Sequence, residues 1–220
     1  MKKLFTIAVF ALLGTGAFAQ TSKGTIAVSA RVSLNNSLNK TSYSDENYKS
    51  DVSGFSFSGS FGYFIKDNVM VSPFIGYEYY NSLSTNDNSN SSYSRAHHRN
   101  KRYSAGASLS KYYMLSERIA VTGSGAISLY KGTDESTYDS NSIEDYKDKS
   151  KGFAISVSPG IAFFPTDRIE LSTSFGRLSY NRSLSERTRA NQITETTSSK
   201  LGFNLSSNTI TLGVGYHFNH

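Results

Sequence analysis

From residue 24 onward the chain alternates apolar residues with small polar residues or glycine, in eight separate segments. In residues 24–34, Ile26, Val28, Ala30, Val32 and Leu34 share one face, and Thr25, Ser29, Arg31 and Ser33 share the other. Residues 54–64 set Phe55, Phe57, Phe61 and Tyr63 against Ser56, Ser58, Ser60 and Gly62. Residues 69–80 set Val71, Pro73, Ile75, Tyr77 and Tyr79 against Met70, Ser72, Gly76 and Glu78. Residues 102–114 repeat the pattern with Tyr103, Ala105, Ala107 and Leu109. The second half adds Val121, Ile127 and Leu129, then Phe153, Ile155, Val157, Ile161 and Phe163, then Ile169, Leu171 and Phe175. The last segment carries Ile210, Leu212, Val214, Tyr216 and Phe218. A period of two predicts β-strands with one apolar face. About 11 residues is the length a tilted strand needs to cross a bilayer.

The connections sort by length. About four residues join segments two and three, four and five, and six and seven, at 65–68, 115–118 and 165–168. About 17 to 20 polar residues join the other pairs, at 35–51, 81–100, 133–149 and 181–200. Short turns at one end and long polar loops at the other predict an all-β fold, a closed eight-stranded antiparallel transmembrane up-and-down β-barrel with periplasmic termini. An open sheet edge in lipid would leave backbone donors and acceptors unsatisfied, so strand one is expected to pair antiparallel with strand eight. Aromatics at the segment ends fit two interfacial girdles. They are Tyr63, Tyr112, Tyr113, Phe163, Phe164, Tyr216 and Phe218 at the short-turn end, and Tyr77, Tyr79, Tyr103, Tyr130, Phe153 and Tyr180 at the other.

The N-terminus changes how composition is read. Met1, Lys2 and Lys3 precede the apolar run 4–13, and Ala17-Phe18-Ala19 supplies a small-x-small cleavage pattern. This predicts a signal peptide over 1–19 and a barrel domain over 20–220. The formal charge of +6 falls to +4 when Lys2 and Lys3 leave. Export makes nucleic acid an unsuitable partner for this basic excess, and anionic lipid headgroups the nearer one. The chain has no cysteine, which excludes disulfides, thiolate chemistry and a lipidated N-terminus.

Candidate chemistry begins with charge in the lumen. Arg31 and Glu78 share the inward phase and are expected to pair across the interior, with a gate on a narrow polar path as the functional alternative. Glu170 and His217 are expected at a wet periplasmic mouth. Lys111, Lys131 and Arg177 fall in the outward phase, where long side chains snorkel to an interface; Arg177 turns inward instead if Gly176 marks a bulge. Lys131 and Arg177, with Arg95, Arg99, Lys101 and Arg102 of the second long loop, are expected to contact lipopolysaccharide phosphates. His97 and His98 lie among them without preorganising a metal. Asp134, Glu135, Asp139, Glu144, Asp145 and Asp148 read as a solvated acidic third loop that pairs with the second. No catalytic residue, metal site or cofactor motif is expected.

On these segments and turns the chain resembles the small eight-stranded outer-membrane barrels of Gram-negative bacteria, the OmpA-like, OmpX-like and OmpW-like group, and within it the barrel-domain proteins common in Bacteroidota. Its ending TITLGVGYHF, 209–218, looks like the terminal signal read by the barrel assembly machinery, although Asn219 and His220 follow the closing aromatic. The resemblance implies a monomer in the outer membrane with a structural or surface-binding role through four long extracellular loops. The alternative it leaves is a narrow porin-like channel for small solutes or ions.

Overall fold

A computed structural model describes residues 19–42, 46–88, 94–139, 145–189, 192–204 and 211–218. The signal-peptide reading therefore lies almost wholly outside the described residues, as do Glu144 and the start of the terminal motif. A single 3-10 turn, Ala19–Thr21, precedes the strands. These are β1 (Ile26–Ser42), β2 (Glu46–Lys66), β3 (Val69–Asn88), β4 (Ser94–Met114), β5 (Ile119–Tyr138), β6 (Tyr146–Phe163), β7 (Ile169–Ser174), β8 (Arg177–Arg189), β9 (Gln192–Asn204) and β10 (Thr211–Phe218).

Eight staves close into a ring. β1 through β6 pair in sequence, β6 pairs with β7, β7 with β10, and β10 with β1, every pair antiparallel. The closing seam runs from Ile26↔Phe218 to Ser33↔Thr211, so the expected pairing of the first and last strands is present. Apolar side chains point outward along the ring. Phe57, Val157 and Leu212 are 48%, 55% and 64% exposed, whereas Ser72 and Ser110 are buried inside. At about 25 cal/mol per Å², such a belt is costly in water and favourable in hydrocarbon.

Two features depart from the sequence reading. First, the long connections are mostly not loops. β2, β3, β4 and β5 run 21, 20, 21 and 20 residues, about twice the spanning length expected. Their ladders climb to Ser42↔Asn47, Asn86↔Ser94, Ser136↔Tyr146 and Arg189↔Gln192. Alternating Ser, Thr, Asn and charged residues suit a two-sided polar ribbon, and pairing satisfies the backbone groups that face a neighbouring strand. Cross-strand ion pairs reinforce the ribbons, such as Arg187 Nη2 to Asp148 Oδ2 at 2.8 Å.

Second, the last two staves are broken. β7 stops at Ser174, Gly176 adopts a φ of 75°, and β8 resumes at Arg177. Glycine meets this left-handed conformation without a Cβ penalty. The interruption shifts the alternation by one: Phe175 and Leu178 both face outward, while Arg177 lines the interior. β8 continues along β6, and β9 pairs with β8 alone among the described residues. Beyond Ser33, β1 ladders only with β2 among the described residues.

The belt predicts a depth-dependent penalty. Val157→Lys is expected to destabilise the folded barrel by about 2–4 kcal/mol, against little change for Ser179→Thr on the inner face. Reversible denaturant unfolding in phospholipid vesicles measures both.

Candidate functional site in the lumen

The short-turn end of the lumen is packed shut. Phe64, Phe164 and His217 are at most 1% exposed, and Tyr112 is buried beside them. The His217 ring lies 5.8 Å from that of Phe64 and 5.6 Å from that of Phe164, and Tyr112 stands 5.6 Å from Phe64. Tyr112 and Phe164 depart from the girdle expected of them. Both occupy even positions in staves whose odd positions face out, so the pleat turns them inward. Tyr130 also faces the lumen.

Glu170 and His217 are part of this plug, not of a wet mouth. His217 Nδ1–H donates to the Gln20 carbonyl at 2.8 Å, Nε2 lies 3.0 Å from Glu170 Oε2, and the Tyr112 hydroxyl donates to that same oxygen at 3.1 Å. With Nδ1 carrying a proton, Nε2 attracts Glu170 only if a further proton sits between them. The pair is therefore held together by one buried proton, as imidazolium with carboxylate or imidazole with carboxylic acid.

Residues ahead of β1 form the lid that removes water. Gln20 Nε2 donates to Asp167 at 3.2 Å, and the Thr21 hydroxyl donates to Asn68 Oδ1 at 2.6 Å. Asn68 N–H donates to the Thr21 carbonyl at 2.8 Å, and the Asn68 carbonyl accepts Tyr112 N–H at 2.9 Å. Asn68 holds a φ of 62° in the turn between β2 and β3, which asparagine tolerates better than most residues.

Above the plug lies a cavity of about 300 Å³, lined largely by serine and threonine. Ser29 and Ser60 share a hydrogen bond at 2.8 Å, as do Ser110 and Ser124 at 2.9 Å. Arg31 and Glu78 both line this cavity but do not pair with each other. Glu78 Oε2 lies 3.6 Å from Arg102 Nη1, and the Arg102 guanidinium stacks 4.7 Å from the centre of the Tyr130 ring. Glu78 ladders directly to Arg102 on β4, whereas Arg31 is two strands away on β1. Arg31 lies instead against Gly213, where an added Cβ would stand 3.1 Å from its Cγ. Arg102 and Arg177, grouped with the surface cations from the sequence, both line the cavity.

The remaining cations stay outside or on the hairpins. Arg99, Lys101 and Lys131 are exposed. Arg95 lies partly buried in the β3–β4 ribbon. The expected contact between the second and third long connections is present: Arg99 lies 4.0 Å from Glu135, which Lys147 meets at 2.7 Å. The Lys147 hydrogen bond, then its charge, hold the Glu135 carboxyl below its ordinary range. Asp134 accepts a hydrogen bond from Asn100. Among the described residues no group of three or more His, Asp or Glu side chains is placed to hold a metal.

The model of the outer membrane protein beta-barrel domain family matches residues 5–218. The chain belongs to this family of outer-membrane barrels. No curated protein matches it. Its fold is similar to that of OprG from Pseudomonas aeruginosa, at 12% identity and a TM-score of 0.47 over 91% of this chain and 99% of that one. It is similar to Neisserial surface protein A at 17% identity and a TM-score of 0.44, covering 89% of this chain and 100% of that one. It is also similar to the outer membrane protease OmpT from Escherichia coli, at 9% identity and a TM-score of 0.44, over 89% and 94%.

Two outcomes are expected of this outer-membrane barrel. Removing one member of the buried pair, as in His217→Leu, leaves the other uncompensated and costs about 3–5 kcal/mol. Glu170→Gln with His217→Leu restores part of the loss, which a double-mutant cycle in micelles reads directly. On the hairpins, carbon-detected NMR titration should find Glu135 below the usual carboxylate range, with Lys147→Gln moving it back up. Because its folded value is lowered, the Glu135 contribution is complete above the unfolded carboxylate pKa and is lost as pH falls through the folded one.

Proposed function

We propose that this protein is a surface-binding and structural barrel of the outer membrane, which holds four polar hairpins above the lipid and does not conduct. In this reading the short turns and termini face the periplasm and the hairpins face outward, as loop lengths in such barrels dictate. The observation that carries it is the plug: Phe64, Phe164 and His217 fill the short-turn end with almost no exposed surface. A conducting path needs a continuous polar route, and the plug, tied to the N-terminal lid through Gln20, interrupts one.

The hairpins supply the binding surface. Arg99, Lys101 and Lys131 form an exposed basic face, with Arg95 on the same ribbon, in reach of lipopolysaccharide phosphates or other polyanions. The C-terminal strand serves the barrel assembly machinery through its alternating Leu212, Val214, Tyr216 and Phe218.

Planar-bilayer recording of the purified protein is expected to show no unitary steps above background. Steps that persist after reconstitution and respond to Phe164→Ala would establish the channel reading in its place. Replacing Arg99, Lys101 and Lys131 together by Gln is expected to weaken binding to lipopolysaccharide vesicles at least several-fold, while the gel mobility shift between unheated and heated barrel persists.

A further inference from the structure

We propose that the lumen is a binding chamber for a small oxyanion of the phosphate class, drawn in by the guanidinium groups of Arg31 and Arg177. The charges lining the cavity do not balance. Three arginines, Arg31, Arg102 and Arg177, face two carboxylates, Glu78 and Glu170. Both carboxylates are already engaged, Glu78 by Arg102 at 3.6 Å and Glu170 by His217 at 3.0 Å and Tyr112 at 3.1 Å. Among the described residues, Arg31 and Arg177 form neither an ion pair nor a hydrogen bond. The segment 205–210, which follows Arg177's ladder partner Asn204, contains no Asp or Glu to supply a counter-charge. Arg102 adds a buried Nε with no acceptor.

Donors in excess, within a chamber closed at one end, point to an acceptor-only ligand. Two unpaired cations lining one cavity favour an anion there, and a phosphate or sulfate accepts from several forked N–H groups at once. The two residues stand on one side of the wall at different heights, Arg177 five positions along its stave from the level of Arg31. Arg31 ladders to Gly213, Gly213 to Ser172, and the stave carrying Ser172 reaches Arg177 through the Gly176 turn. Gly213 leaves the space that Arg31 occupies: a Cβ there would lie 3.1 Å from Arg31 Cγ. Arg177 is exposed and lines the same cavity as Arg31. A volume of about 300 Å³ sits at the small end of ligand pockets, and the surrounding hydroxyls complete the hydration of a compact anion. With the plug below, the anion enters and leaves at the hairpin end, so the chamber binds without transmitting. This holds whether or not the hairpins bind a surface.

Isothermal titration of the refolded barrel in zwitterionic, lipid-free micelles with inorganic phosphate tests the assignment, with sulfate as competitor and glycerol as neutral control. Saturable phosphate binding displaced by sulfate is expected, with no response to glycerol. Arg31→Gln and Arg177→Gln are each expected to weaken it about tenfold or more, and Arg177→Lys to recover part of the loss. Glu78→Gln, which frees Arg102, is expected to tighten it several-fold. Lys66→Gln, exposed at the short-turn end, leaves it unchanged. Gel mobility before and after heating establishes that each variant is folded. No saturable binding by folded wild-type protein overturns the proposal, as does binding that ignores Arg31 and Arg177 but falls with Arg99→Gln. Binding that appears only when phospholipid or lipid A is added assigns the phosphate to headgroups outside the wall and overturns it equally.

Discussion

Hydrocarbon offers a peptide group no hydrogen-bond partner, and an unpaired N–H or C=O there costs several kcal/mol. The seam from Ile26↔Phe218 to Ser33↔Thr211 answers that constraint, since without it two edges would lie bare through the membrane. Closure with eight staves also fixes the interior at a width that side chains nearly fill. What the inner face carries at each height then decides whether that height is solid or hollow. Serine and glycine leave a cavity in the middle; phenylalanine, tyrosine and histidine leave none at the short-turn end.

The plug illustrates how such a small interior treats polar groups. Glu170, His217 and Tyr112 would each be expensive to bury alone. Together they share one oxygen and one bridging proton, and the Gln20 carbonyl takes the remaining ring N–H. The lid residues thus do two things at once: they complete the hydrogen bonding of the plug and exclude the water that would otherwise solvate it. Removing water strengthens each of those contacts, so the lid and the buried pair stabilise one another.

The fold was legible in the sequence because side-chain phase has a period of two. Phe57, Val157 and Leu212 face outward as the alternation required. The errors arise where residue type was allowed to outrank phase. Tyr112 and Phe164 suit a girdle by aromatic type, yet the outward parity of Ala105, Leu109 and Phe163 turns both inward. Arg102 shares the inward parity of Ser104 and was nevertheless grouped with its basic neighbours. Other details have no local signature. Glu78 chooses Arg102 over Arg31 because β3 neighbours β4, which is a matter of ring order, not spacing. His217 is dry because Gln20, 197 positions away, covers it. The long connections read as loops because polar ribbons lack the one-sided apolar alternation that marks a membrane stave.

Gly176 shows how a single backbone choice sets the character of the whole interior. Had β7 continued straight through Phe175, Arg177 would lie in the outward phase, a cation in the belt beside Phe175. The lumen would then hold two arginines against two carboxylates. With φ at 75°, Gly176 slips the alternation by one position. Leu178 and Tyr180 resume the belt, and Arg177 joins Arg31 and Arg102 inside. The same slip therefore protects the lipid-facing surface from a charge and leaves the lumen with a net positive one. Both effects follow from one residue without a Cβ, so the positive chamber and the unbroken belt are two consequences of the same local geometry.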